Sequence, residues 1–184
     1  SNNYHMIGCM SGTSLDGIDL TYVKFTKKET WAFQILASET IDYSQDWKNK
    51  LSKSTELTPA ALENLNNKYT DYLGNIISDF ISKEKIEMLE AVASHGHTVF
   101  HQPEEGFTLQ IGNLSHLADH VGWPVVCDFR TQDVALGGQG APLVPVGDLM
   151  LFNEHSACVN LGGFSNISVL QNQKVLAYDI CAVN

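Results

Sequence analysis

Apolar residues alternate with polar ones, or recur at helical spacing, in well-separated stretches of the chain, and those stretches predict its elements. Met6–Met10 and Leu20–Phe25 flank a loop, and the second run is rich in β-branched and aromatic residues, so the pair predicts a hairpin. Trp31, Phe33 and Ile35 carry the alternation into Trp31–Tyr43, a third strand, which makes a three-strand meander. Thr58 stands before Pro59 as an N-cap stands before a first-turn proline. From there Leu62, Leu65, Tyr69, Leu73, Ile76, Ile77, Phe80 and Ile81 keep helical spacing for about six turns. A short strand at Ala91–Ser94 leads into "HGHTVFHQP". Asn113–Val121 then predicts a helix and Trp123–Cys127 a buried strand.

Past the glycine-rich "ALGGQGAPLVP", a helix through Leu149–Phe152 precedes three more strands, Ala157–Leu161, Ser165–Leu170 and Val175–Tyr178. Two meanders separated by helices predict two related α/β lobes. The first lobe is expected over residues 1–130, as a complete one. Residues 131–184 form the connection and the start of a second lobe, which is incomplete because no helices follow to cover its sheet.

Composition narrows the function. The chain has 184 residues, 43% hydrophobic and 17% charged, which is ordinary for a folded soluble protein. With 21 acidic residues against 11 Lys and Arg, the net charge of −10 excludes nucleic acid held over a broad positive surface. A small phosphate ligand stays compatible, because backbone N–H groups can hold it locally. Cys9, Cys127, Cys158 and Cys181 are far apart without zinc-site spacing, so they read as buried thiols in a reducing compartment. No run approaches the ~18 apolar residues of a membrane span, and the expected location is cytoplasmic.

The first loop, "SGTSLDG", is neither a Walker loop nor G-x-G-x-x-G. Gly12 and Gly17 can supply positive φ, and Ser11, Thr13 and Ser14 put hydroxyls beside backbone amides, a nest suited to phosphate oxygens or simply a turn. Asp16 and Asp19 would repel phosphate, so they either hold waters of a Mg²⁺ ion or brace the loop. His95, His97 and His101 have a spacing that resembles zinc ligands. With no neighbouring Cys or carboxylate set, they read better as a hydrogen-bonding wall, and no direct metal ligand is expected. Arg130 offers a planar fork for phosphate or carboxylate, with an ion pair to Asp128 or Asp133 as the structural alternative. Gly137, Gly138 and Gly140 either bring backbone to a ligand or form the connection between lobes.

Taken together, "MSGTSLDGID", "HGHTVFHQP", "TLQIGN", "DFRTQDVALGGQGAPLVP" and "NLGGFSNIS" closely resemble the anhydro-N-acetylmuramic acid kinases of bacterial cell-wall recycling, from about Met6 to Asp179. The resemblance implies the actin-like ATPase (ribonuclease H-like) fold, in which two lobes close over ATP. It implies that Gly12, Thr13, Ser14, Asp16, Gly17 and Asp19 in one lobe and Gly162, Gly163, Ser165 and Asn166 in the other face the phosphates. It places His97, Thr98 and Arg130 on the sugar.

The implied reaction opens the 1,6-anhydro bridge with water while O6 takes the γ-phosphoryl group of ATP, with Mg²⁺ as cofactor and an aspartate as base. That aspartate sits in a family pattern D-T-G-P-G-N, matched here by Asp179-Ile-Cys-Ala-Val-Asn184, so Asp179 is the expected base. Asp179 and Asn184 keep the pattern, but its threonine, both glycines and proline are replaced, and Ile180 and Val183 bring in branched side chains, which motivates an alternative, a non-catalytic sugar-binding or regulatory relative. The family's members are about twice this long, and their adenosine pocket lies largely in the part that is missing. The chain alone is therefore expected to bind ATP poorly. A homodimer is compatible with the resemblance.

Overall fold

The computed structural model describes residues 2–141, 143–171 and 174–183. Three strands, β1 (Asn2–Ser11), β2 (Gly17–Lys27) and β3 (Trp31–Asp42), form the expected antiparallel meander. Two helices, α1 (Gln45–Ser52) and α2 (Pro59–Lys83), carry the chain back to β4 (Ala91–Gln102), which pairs parallel with β1. A parallel return needs such a crossover. The far side of β4 is shared: its first half pairs with β6 (Val125–Val126) and its second half with β5 (Phe107–Ile111). The sheet therefore runs β3-β2-β1-β4-β5, with β6 beside β4.

α2 forms as the sequence predicts. The Thr58 hydroxyl accepts from the Ala61 N–H at 3.4 Å, and Pro59 opens the first turn. The helix ends where Lys85 takes a left-handed φ of 53° and the Ile86 N–H reaches back to the Ile81 carbonyl at 3.0 Å. Its buried stripe, including Tyr69, Leu73, Ile77 and Phe80, shares one core with Ile7, Ile18, Leu20 and Val92 of the sheet. Each fully buried Leu, Ile or Phe adds roughly 1.5–3 kcal/mol. Gly74 lets α3 (His116–Val121) approach, since a Cβ there would lie 2.7 Å from His120 Cβ.

Two short helices, α4 (Thr131–Ala135) and α5 (Leu143–Leu151), lead to the second sheet, in the order β7 (Ala157–Leu161), β8 (Phe164–Gln171), β9 (Lys174–Ala182). α5 touches the first sheet as well, and Phe152, just past its end, meets Phe33 of β3 edge to face at 5.7 Å. Val159, Leu161, Leu176 and Tyr178 of the second sheet are all more than half exposed.

Three expectations need correction. The segment Asn113–Val121 becomes helical only at His116. The strand expected over Trp123–Cys127 is two residues long with Val126 exposed, because β4 gives it only Val92 and Ala93 as partners. Of the four thiols only Cys9 is buried; Cys127 and Cys158 are half-buried, and Cys181 is exposed on the second sheet. Burial pushes the Cys9 thiol up to about 12, so it stays protonated. Among the described residues no helix is long and apolar enough to cross a membrane, which says nothing of a β-barrel.

Candidate functional site

The β1–β2 turn is built differently from the expected glycine-hinged nest. Neither Gly12 nor Gly17 has positive φ; Leu15 does, at 57°, with its N–H directed to the Gly12 carbonyl at 3.4 Å. A left-handed leucine costs roughly 1–2 kcal/mol, so the surrounding contacts must hold it. Gly17 is required by space instead: a Cβ there would sit 2.6 Å from the Ile41 carbonyl oxygen of β3. The Asp16 carboxylate accepts from the Ser14 hydroxyl and the Gly17 N–H, both at 2.9 Å through Oδ1. The Ser14 bond, chiefly, holds Asp16 below the ordinary carboxylate range. Asp16 thus braces the loop. Asp19, exposed on β2, accepts from the Thr40 hydroxyl at 2.6 Å.

Ser11 is not a surface donor. It is 2% exposed, with its hydroxyl 2.7 Å from the Tyr43 hydroxyl and 3.1 Å from His97 Nδ1. The hairpin register faces Ser11 inward like Cys9 and Ile7, two and four residues before it. Gly12, Thr13 and Ser14 remain as the ligand-facing candidates of this turn.

Strand β4 carries the histidines. His95 donates from Nδ1 to the Gly96 carbonyl at 3.0 Å and accepts at Nε2 from Arg130 Nε at 2.9 Å. Because a guanidinium only donates, Nε2 must be the bare nitrogen, and this fixes the His95 tautomer. Burial lowers the His95 pKa, and the Arg130 charge lowers it further. Arg130 Nη1 donates to the Gly140 carbonyl at 2.8 Å, while Asp133 accepts from the Gly140 N–H at 2.7 Å. The glycine-rich segment is therefore clamped by side chains on both sides of Gly140. Arg130 makes no ion pair with Asp128 or Asp133 among the described residues. Two of its three guanidinium nitrogens are engaged within the protein.

Thr98 is half-buried, and its hydroxyl accepts from Gln110 Nε2 at 3.4 Å, which ties it to residues that the sequence motifs alone did not single out. The Thr108 hydroxyl donates to the Phe100 carbonyl at 3.3 Å, so it can only accept from Gln110 Nε2 at 2.9 Å. Gln110 Oε1 is then left as the one buried side-chain polar atom without a partner among the described residues. Gln110 lines a polar cavity of about 260 Å³ with Asn66, Thr108, Asn113, Asp128 and Thr131. Asp128, in the Asp128-Phe129-Arg130 motif, has a left-handed φ of 63°. A second cavity of about 320 Å³, between α5 and the β1–β3 face, is apolar and contains none of the predicted residues.

In the second sheet, the register sets Asn160 of β7 opposite Asn166 of β8, and Asn166 opposite Asp179 of β9. Directly opposed residues share a face at a Cβ spacing of about 4.5–5.5 Å, so the three form one polar row across the sheet. A bulge at Ser165/Asn166 sits in that row, where bulges commonly re-aim a side chain. Asn160 was not singled out in the sequence, although it lies in the "NLGGFSNIS" motif. Ser165 is buried and donates to the Cys181 carbonyl at 3.1 Å. Gly163 accepts from the Val183 N–H at 2.9 Å, and Gly162 is exposed in the turn. Asn184 lies outside the described residues.

The predicted residues thus form two groups, one around the β1–β2 turn and β4, the other on β7–β9. No hydrogen bond or ion pair among the described residues joins them. The architecture is a mixed α/β fold on a central mixed sheet, consistent with a sugar kinase. Residues 4–184 match the profile of the anhydro-N-acetylmuramic acid kinases, and the chain belongs to that family. It is 39% identical to the anhydro-N-acetylmuramic acid kinase of Pseudomonas putida over 91% of its length, and 40% identical to that of Vibrio cholerae over 94%. The Haemophilus influenzae kinase is 36% identical over 95%. The chain spans about half the length of these curated relatives, 47%, 49% and 48% respectively. Among solved structures, that of Thermus thermophilus RuvC superposes with a TM-score of 0.34 at 17% identity, covering 82% of this chain and 81% of that one, a likeness too low to support any argument.

Proposed function

We propose that this chain forms the first lobe and the start of the second lobe of an ATP-dependent kinase that opens 1,6-anhydro-N-acetylmuramic acid with water and phosphorylates O6, in the cytoplasm. The observation that carries this reading is the family match over residues 4–184. The polar row that includes Asp179 supports it.

In this reading Asp179 takes a proton from the water that attacks C1, the C1–O6 bond breaks, and O6 bonds to the γ-phosphorus as ADP leaves. Asn166, directly across the strand pair, is placed to donate its amide N–H to the carboxylate and hold it toward the water. His97, Thr98 and the remaining guanidinium nitrogen of Arg130 hold the sugar. Gly12, Thr13, Ser14 and the turn at Gly162 and Gly163 receive phosphate oxygens. Mg²⁺ keeps most of its waters and needs only one or two carboxylates besides phosphate, a donor set that Asp16 and Asp19 fit. Both carboxylates meet the protein through Oδ1. When bound, the ion would neutralise charge on the phosphates.

A second reading, a sugar-binding relative without turnover, is favoured by Ile180 at the end of β9 and Val183 just past it, both about half exposed, whose branched side chains stand in a stretch where glycine lets a backbone approach a ligand. One comparison separates the two. With the full-length protein, ATP and the anhydro sugar, Asp179→Asn is expected to lower kcat by about 10²–10⁴-fold while sugar affinity stays within twofold. Sugar binding without turnover in the wild type supports the binding protein instead.

A further inference from the structure

Three buried hydroxyls that the proposed reaction does not itself use meet the Nδ1 side of His97 beneath the first turn. Tyr69 of α2 is fully buried and hydrogen-bonds to Tyr43, which bonds to Ser11, which bonds to His97 Nδ1. The three hydroxyls carry three protons, and three bonds join them to each other and to Nδ1, so the state of Nδ1 decides whether every proton finds an acceptor. If His97 Nδ1–H donates to Ser11, four protons serve three bonds, and one hydroxyl of Ser11, Tyr43 or Tyr69 is left with no acceptor among the described residues. If Tyr69 donates to Tyr43, Tyr43 to Ser11 and Ser11 to Nδ1, every proton is used. An unmet buried donor carries the larger penalty, so the second arrangement wins.

We propose that Tyr69, Tyr43 and Ser11 are positioning residues whose one-way series of hydroxyls keeps His97 as the neutral tautomer protonated at Nε2, a fixed donor for a sugar oxygen at β4. This deepens the preceding assignment and rests on His97 facing the sugar. Geometry supplies the remaining requirements. The Tyr69 ring packs edge-on against His97 at 6.1 Å, opposing rotation of the imidazole. Nε2 has no protein partner among the described residues, and His97 is buried but not fully enclosed, 4% exposed. Burial, then the neighbouring His95, lowers the His97 pKa to about 4, which keeps the ring neutral near pH 7. His95, two residues earlier on β4, is held in the opposite tautomer by Arg130, so the strand presents one bound and one available histidine.

Long-range ¹H–¹⁵N NMR of the histidine rings tests this, with the His97 signals assigned from His97→Gln. The wild type is expected to show Nε2 protonated and Nδ1 bare between pH 8 and pH 5. Protonation at Nδ1 overturns the proposal whatever the sugar does. In Ser11→Ala an Nδ1–H population should appear, and affinity for 1,6-anhydro-N-acetylmuramic acid, measured by calorimetry, should fall about tenfold, the size of one lost hydrogen bond. Tyr43→Phe keeps the ring and should move both readouts the same way by less. An unchanged tautomer in both variants overturns the proposal. If His97→Gln leaves sugar affinity intact, the assignment of His97 to the sugar fails, even where the tautomer is as expected.

Discussion

His97 stays neutral because protonating it would place a charge inside the core and leave one hydroxyl proton beneath it without an acceptor. The energetic sign follows. Its folded pKa of about 4 lies below its ordinary 6.5, so as pH falls the unfolded chain takes the proton first and stability is lost between those two values. The loss is on the order of 3 kcal/mol by pH 4, since each pKa unit is worth 1.36 kcal/mol. Urea midpoints across pH 7 to 4 should fall steeply in the wild type and less in His97→Gln. Parallel curves would show that this imidazole is not what titrates. Asp16, Asp19, Asp179 and Arg130 could be picked out in the sequence by charge and motif, but their partners could not. Nothing local reveals that Arg130 grips His95 and Gly140, or that Ser11 faces inward toward two tyrosines, because those contacts join residues 10 to 86 positions apart.

Among the elements, the first hairpin shows how glycine acts through space rather than through φ. Gly17→Ala would press a methyl group against the Ile41 carbonyl and is expected to cost about 1–3 kcal/mol in denaturant unfolding. Gly8→Ala meets nothing within 4 Å and should be neutral or stabilising by about 0.4–1 kcal/mol. Equal effects at the two sites would refute the spatial argument. Thr58→Ala should cost about 1 kcal/mol through the lost cap of α2. The meander, α2 and the three last strands were legible because their apolar periods are long and regular. β5 was not, because its inward positions Thr108 and Gln110 are polar and reverse the usual alternation. α1 was not, because Trp47 and Leu51 are its only apolar residues, too few to set a period, although Ser44 does cap it.

For the molecule as a whole, two sheets carry two groups of polar residues, and the proposed kinase needs both around one substrate. We propose the same division into residues 1–130 and 131–184 that the sequence predicts, with the bare apolar face at Val159, Leu161, Leu176 and Tyr178 covered in a protein of the relatives' full length. Backbone hydrogen exchange on β7–β9 should then be slower in the full-length protein than in this chain, and equal rates would contradict it. The most direct measurement concerns the product itself. Full-length protein is incubated with ATP and 1,6-anhydro-N-acetylmuramic acid, and the sugar is analysed by mass spectrometry and ³¹P NMR. The expected product is a sugar that has gained one water and one phosphoryl group, the latter on O6, with ADP formed in equal amount. A sugar recovered unchanged, or phosphorylated with its 1,6-bridge intact, would contradict it.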